Sequence, residues 1–153
     1  MRRLLKARRD DGRISILIAG FLGILAMLIL GAVDVTAVQL ARMRILDASD
    51  SAAADAADAI DEGGVYTGGV DGERLRLTDG SVRQVAVDNL GKQRLPQNVT
   101  SWGLQSGTGT RDGRTARVVL SGTVQPPISG GALGFFKEVT VTVESNARAD
   151  VQP

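Results

Sequence analysis

Residues able to carry chemistry are few in this chain, and the most regular set is a series of aspartates at 47, 50, 55, 58 and 61. Carboxylate oxygens suit a hard cation such as calcium, but a binding loop alternates its ligands around a sharp glycine turn, and helical spacing does not. The series therefore reads as the solvated face of a helix. Gly107-Thr108-Gly109-Thr110 lies in a turn rather than between a strand and a helix, and it lacks the third glycine of a dinucleotide loop. It reads as a flexible turn. Asn98-Val99-Thr100 fits a glycosylation acceptor, a three-residue pattern common by chance. Cysteine and histidine are both absent, which removes disulfides, thiolate and imidazole metal ligands and the usual nucleophile–base pairs. No catalytic, cofactor-binding or metal-binding residue is assigned, and no enzyme is expected.

The elements that position these residues begin with an apolar run. From 14 to 33 no residue is charged, and only Ser15 and three glycines interrupt the aliphatic and aromatic side chains. Twenty helical residues rise about 30 Å, the thickness of a bilayer hydrocarbon core. Residues 1–13 carry six basic side chains against two acidic ones, the remainder twelve against fifteen. That asymmetry makes 1–13 a basic cytoplasmic leader and sends the chain beyond residue 33 outward, because basic flanks stay inside. It also argues against a nucleic-acid surface, as does an aromatic content of 3%.

Two other readings of the run are export signals. A cleaved secretory signal would have a shorter apolar core, and its best processing site, Val35-Thr36-Ala37, places valine where a small residue is preferred. Arg2-Arg3-Leu4-Leu5-Lys6 resembles part of a twin-arginine signal, although its apolar segment is too hydrophobic and too distant. A retained anchor is the leading expectation. Ala19, Gly23 and Ala26 form a small-residue track, which either packs against another membrane helix or simply faces lipid. Asp34 is the acid nearest the bilayer, placed to pair with a cation on a neighbouring subunit or to sit hydrated at the interface.

No helix breaker intervenes between 34 and 62. Val38, Ala41, Ile45, Ala48, Ala52, Ala56 and Ala59 recur at three- and four-residue spacing opposite the aspartates. The helix is thus expected to continue as a stem over 34–62, with an alanine seam whose partner is either the chain's own sheet or another subunit. Gly63-Gly64 reads as its stop. Turn signals stand at Asp71-Gly72 and Asp79-Gly80. Ser81 is expected to cap a short helix with Val82, Val85, Ala86 and Leu90 on one face, ended by Gly91 and Pro96. Strands are expected over 99–105, 116–124 and 139–147, the last alternating Val139, Val141 and Val143 with Thr140, Thr142 and Glu144. The fold class is α+β: a long N-terminal transmembrane and amphipathic helix, then a short helix and a small antiparallel sheet of about three strands, as a head over 63–153.

Several of these residues together carry a resemblance. Asp11-Gly12, the apolar span, Asp34, Arg42 with Arg44, and the exit "AAADAADA" resemble the N-terminal module of TadE/TadG-like proteins of the tight-adherence, or Flp, pilus assembly system. The resemblance covers about the first 60 residues. It implies a bacterial, pilin-like component of the cell envelope, held in the inner membrane and packing against other pilus or secretion-system subunits as well as the lipid bilayer. Prepilins of this broad class are cut after a glycine, with a glutamate five residues into the mature chain. Gly12 and Arg13 would flank that cut, but the position of the glutamate holds Leu17. This departure favours an uncleaved TadG-like anchor or an unconventional minor subunit. A membrane-tethered binding or sensory module, whose head over 63–153 folds alone, is the alternative; an exported soluble protein is the third.

Overall fold

A computed structural model describes residues 11–67, 77–132, 134 and 137–148. The basic residues at 2–9, the acid at 10 and the Asp71-Gly72 turn signal lie outside the described residues. A first helix, α1 (Asp11–Thr67), is followed by α2 (Asp79–Lys92) and strands β1 (Val99–Leu104), β2 (Thr115–Val124) and β3 (Val139–Arg148). A single wide turn of π-helix, Pro127–Ala132, stands between β2 and β3. The sheet is antiparallel in the order β1-β2-β3. This is the α+β architecture expected from the sequence, with strand limits within about a residue of those expected.

Burial on β2 alternates along its whole length, with Ala116, Val118, Leu120, Gly122 and Val124 facing inward. Alternate side chains of a strand point to opposite faces, so one face of the sheet is apolar and the other carries Arg117, Ser121, Thr140, Thr142 and Glu144. The inner face is covered by α1, whose Ala41, Ile45, Ala48, Ala52, Ala53, Ala56 and Ala57 are buried with Val82, Ala86 and Leu90 of α2. The alanine seam therefore meets the chain's own sheet and second helix; Ala59 is exposed and lies beyond it. Each alanine contributes little apolar area. What the seam gains is proximity, and Ile45 uses it by reaching the sheet where Gly122 has no side chain. The buried Ser49 hydroxyl donates to the Val118 carbonyl at 3.3 Å. Because α1 supplies most of the cover of the inner face of the sheet, a piece beginning at residue 63 would leave much of that face bare.

Four local expectations are corrected. The helix passes through Gly63-Gly64 to Thr67, since glycine weakens a helix by about 1 kcal/mol relative to alanine without removing any backbone hydrogen bond. Thr78, not Ser81, caps α2. Its extended backbone lets its hydroxyl accept from the Ser81 amide at 3.1 Å, while the Ser81 hydroxyl accepts from the Thr78 amide at 3.1 Å. This reciprocal pair is a capping box with serine in the third helical position, so Asp79 and Gly80 open the helix rather than form a turn. Gly91 lies inside α2, which runs on to Lys92.

The turn at residues 107–110 is tied down. The Thr108 side chain is buried, and its hydroxyl accepts from the Val119 amide at 3.0 Å. Gly109 and Arg117 exchange backbone hydrogen bonds at 2.9 and 2.8 Å. Gly109 takes φ +153, and a β-carbon there would collide with the Asp79 carboxylate, which accepts from the Thr110 amide at 2.8 Å. Asp112 closes the next turn by accepting from the Arg114 and Thr115 amides at 2.9 and 2.7 Å.

Candidate functional site

The surface with the clearest physical demand is the first half of α1. Its side chains from 14 to 33 are exposed, Ile16 at 75% and Met27 at 76% among them, and none of its most apolar window, of mean hydropathy 2.8, is buried. A helix apolar on every side and uncovered by its own chain is not the core helix of a water-soluble domain. It is long and apolar enough to cross a membrane. Ala19, Gly23 and Ala26 lie on this exposed stretch, with nothing within 4 Å of the space a β-carbon on Gly23 would fill. Gly12 and Arg13 are in the first turn of α1 and exposed. The structure does not bring these five residues together with any other part of the described chain.

Asp34 is different. One carboxylate oxygen accepts from the Ile128 amide and the other from the Ser129 amide, each at 2.8 Å. These are amides of the first turn of the π-helix, which no residue within that turn can satisfy. The Ser129 hydroxyl, and after it the two amides, hold the Asp34 carboxyl below the usual carboxylate range against the opposing effect of desolvation. The side chain just past the end of the apolar run thus clasps the loop between β2 and β3. The sequence carries no local sign of this contact, because the partners are 94 and 95 residues away.

The aspartates beyond it stay on the outer face of α1. Asp47, Asp50, Asp55 and Asp58 are exposed, and among the described residues no group of three or more acidic side chains is placed to hold a metal ion. Asp55 accepts from the Asn89 side-chain amide at 2.5 Å, and the Gln93 amide donates to the Asn89 oxygen at 2.6 Å. A shallow polar groove between α1 and α2, bordered by Arg44, Asp47, Ser51, Asn89 and Lys92, is bridged by that contact. On the outer sheet face Arg117 and Glu144 form an ion pair at 2.6 Å. These polar contacts join elements of the head to one another.

The arrangement defines a class: a small α+β head built around the C-terminal half of a helix whose N-terminal half is suited to a membrane. Within that class, residues 12–59 match the family described as "Putative Flp pilus-assembly TadE/G-like". The matched stretch holds both the apolar run and the seam that meets the sheet, and it agrees with the resemblance carried by Asp34, Arg42, Arg44 and the Ala/Asp exit. A pilus-assembly family points to a pilus-related membrane component, and the exposed apolar helix is compatible with membrane anchoring. Neither the curated proteins nor the solved structures compared with the chain gave a match.

Proposed function

We propose that the protein is a single-pass, membrane-anchored, pilin-like component of a Tad/Flp-type pilus or a related secretion system, acting as a structural subunit or an assembly factor without catalytic activity. Residues 1–13 form a cytoplasmic leader, 14–33 the inner-membrane span, 34–62 the stem and 63–153 the bulk of an extracytoplasmic head. The observation that carries this reading is the coincidence, within residues 12–59, of the family match with a helix exposed and apolar at one end and buried against its own head at the other. Six basic residues before the span and only Arg42 and Arg44 soon after it support an N-terminus in the cytoplasm.

In this scheme Ala19, Gly23 and Ala26 are the contact for a neighbouring pilus or secretion-system helix, since small side chains let two backbones approach. Asp34 serves the head, by way of the loop it holds. With Leu17 in the position where prepilins carry glutamate, the chain keeps its leader and is not cut between Gly12 and Arg13.

Deleting residues 14–33 in the producing cell tests the scheme. Membrane localisation and pili are both expected to be lost; loss of pili with localisation retained would overturn the anchor assignment. Sequencing the mature N-terminus tests the leader: a start at Arg13 would make the protein a processed prepilin, and a start at Val38 an exported one.

A further inference from the structure

We infer that the loop between β2 and β3 is a second membrane contact, lying on the outer surface of the bilayer beside the span; this rests on the span reading above. Asp34 sets the placement. That residue directly succeeds Val33, the last residue of the apolar run, so it stands where the hydrocarbon ends. Its two bonds to the Ile128 and Ser129 amides bring the loop to the same level. No other segment of the head is hydrogen-bonded so near the span among the described residues.

The loop has the chemistry that this level selects. From 126 to 138 it reads Pro-Pro-Ile-Ser-Gly-Gly-Ala-Leu-Gly-Phe-Phe-Lys-Glu, with its one acid, Glu138, at the end that enters β3. Two of the three phenylalanines of the chain are here, at 135 and 136, and the third, Phe21, is in the span. Gly131, Ala132 and Lys137 are exposed, and Ile128 is half-buried. Segments that seat at a membrane surface combine apolar and aromatic side chains with a cation that meets the headgroups, and Lys137 supplies the cation. The wide turn at Pro127–Ala132 returns its backbone bonds to Pro126, whose carbonyl accepts from the Gly130 and Gly131 amides at 3.1 and 3.0 Å. Those amides are thus satisfied before the loop meets lipid, as a low-dielectric setting requires.

The absence of cysteine makes the test direct. Full-length protein carrying one introduced cysteine, labelled with an environment-sensitive fluorophore, is reconstituted in phosphatidylcholine–phosphatidylglycerol vesicles containing lipids with a shallow or a deep quencher. Three variants are compared: Ala132→Cys in the loop, Ile24→Cys in the span, and Asp58→Cys about 36 Å along α1 from Asp34. The Ala132 label is expected to be quenched by the shallow quencher several-fold more strongly than the Asp58 label, and the Ile24 label by the deep one. An Ala132 label as unquenched as that at Asp58, beside a quenched Ile24 label, would overturn the loop contact and leave the span standing. An unquenched Ile24 label would overturn the span reading and the loop contact with it.

Discussion

The Cδ1 atom of Ile45 occupies the space that a β-carbon on Gly122 would need, 2.6 Å from its ideal position. Ile45 is fully buried, so any shift of its Cδ1 must be taken up by a packed core. Gly122→Ala is expected to destabilise the full chain by about 1–3 kcal/mol through overpacking, and Ile45→Val by about 0.5–1.5 kcal/mol through lost contact. Valine lacks the atom that collides, so the double variant should lose less than the sum of the two. Denaturant unfolding of the four proteins in one detergent reads this directly, and additivity would refute the contact.

The reciprocal bonds of Thr78 and Ser81 give α2 its start. Thr78→Ala should cost about 1 kcal/mol, with a comparable fall in the amide protection of the first turn of α2. Thr78→Ser keeps the hydroxyl and should retain most of the stability, a contrast that circular dichroism on heating can measure.

Acid should weaken the head in a particular way. The Arg117 side chain, with help from Asn146, holds the Glu144 carboxyl below its ordinary value of 4.5. The Arg114 amide and the Thr115 hydroxyl and amide hold the Asp112 carboxyl well below its own. A carboxyl depressed in the fold is protonated first in the unfolded chain, so between the two values the unfolded state binds more protons and acid favours it. The contribution is therefore complete above the ordinary carboxylate range and is lost as pH falls through the folded values. Unfolding midpoints taken from pH 7 downward should drop below about pH 4, and Glu144→Gln should flatten the drop. An unchanged slope in that variant would remove Glu144 from the account.

Removing the Asp34 carboxylate should free two specific amides. In the wild-type protein the Ile128 and Ser129 N–H groups are expected to exchange slowly with deuterium, and in Asp34→Ala quickly, while the β2–β3 ladder keeps its protection. Slow exchange at both sites in the variant would show that something else holds the loop.

Legibility in the sequence depends on the range of the physical cause. The strands are legible because the alternation of Val139, Val141 and Val143 with threonine reports a face, and the helix because its alanines keep a helical period. The apolar run needs only length and charge to be seen. Ser81 reads as the cap because it, like Thr78, is a good capping type, and only backbone geometry distinguishes the first residue of the box from its reciprocal partner. The glycine pair at 63–64 has a propensity cost that the helix overrides. Thr108, a turn residue by its neighbours, has its hydroxyl in a ladder position that depends on Val119. Asp34 is legible as the acid that ends the apolar run but not as a clasp, since nothing near it in the sequence names Ile128 or Ser129.

The unbroken run of α1 fixes the rotational phase between the apolar run and the head. Gly23 and Ala41 are about five full turns apart, so the small-residue track faces the same side as the seam on which the head is mounted. The head overhangs that track like an eave. Two copies that met there at equal height would touch heads before helices, so a neighbour that reaches Gly23 must be a bare helix or a copy displaced along the axis.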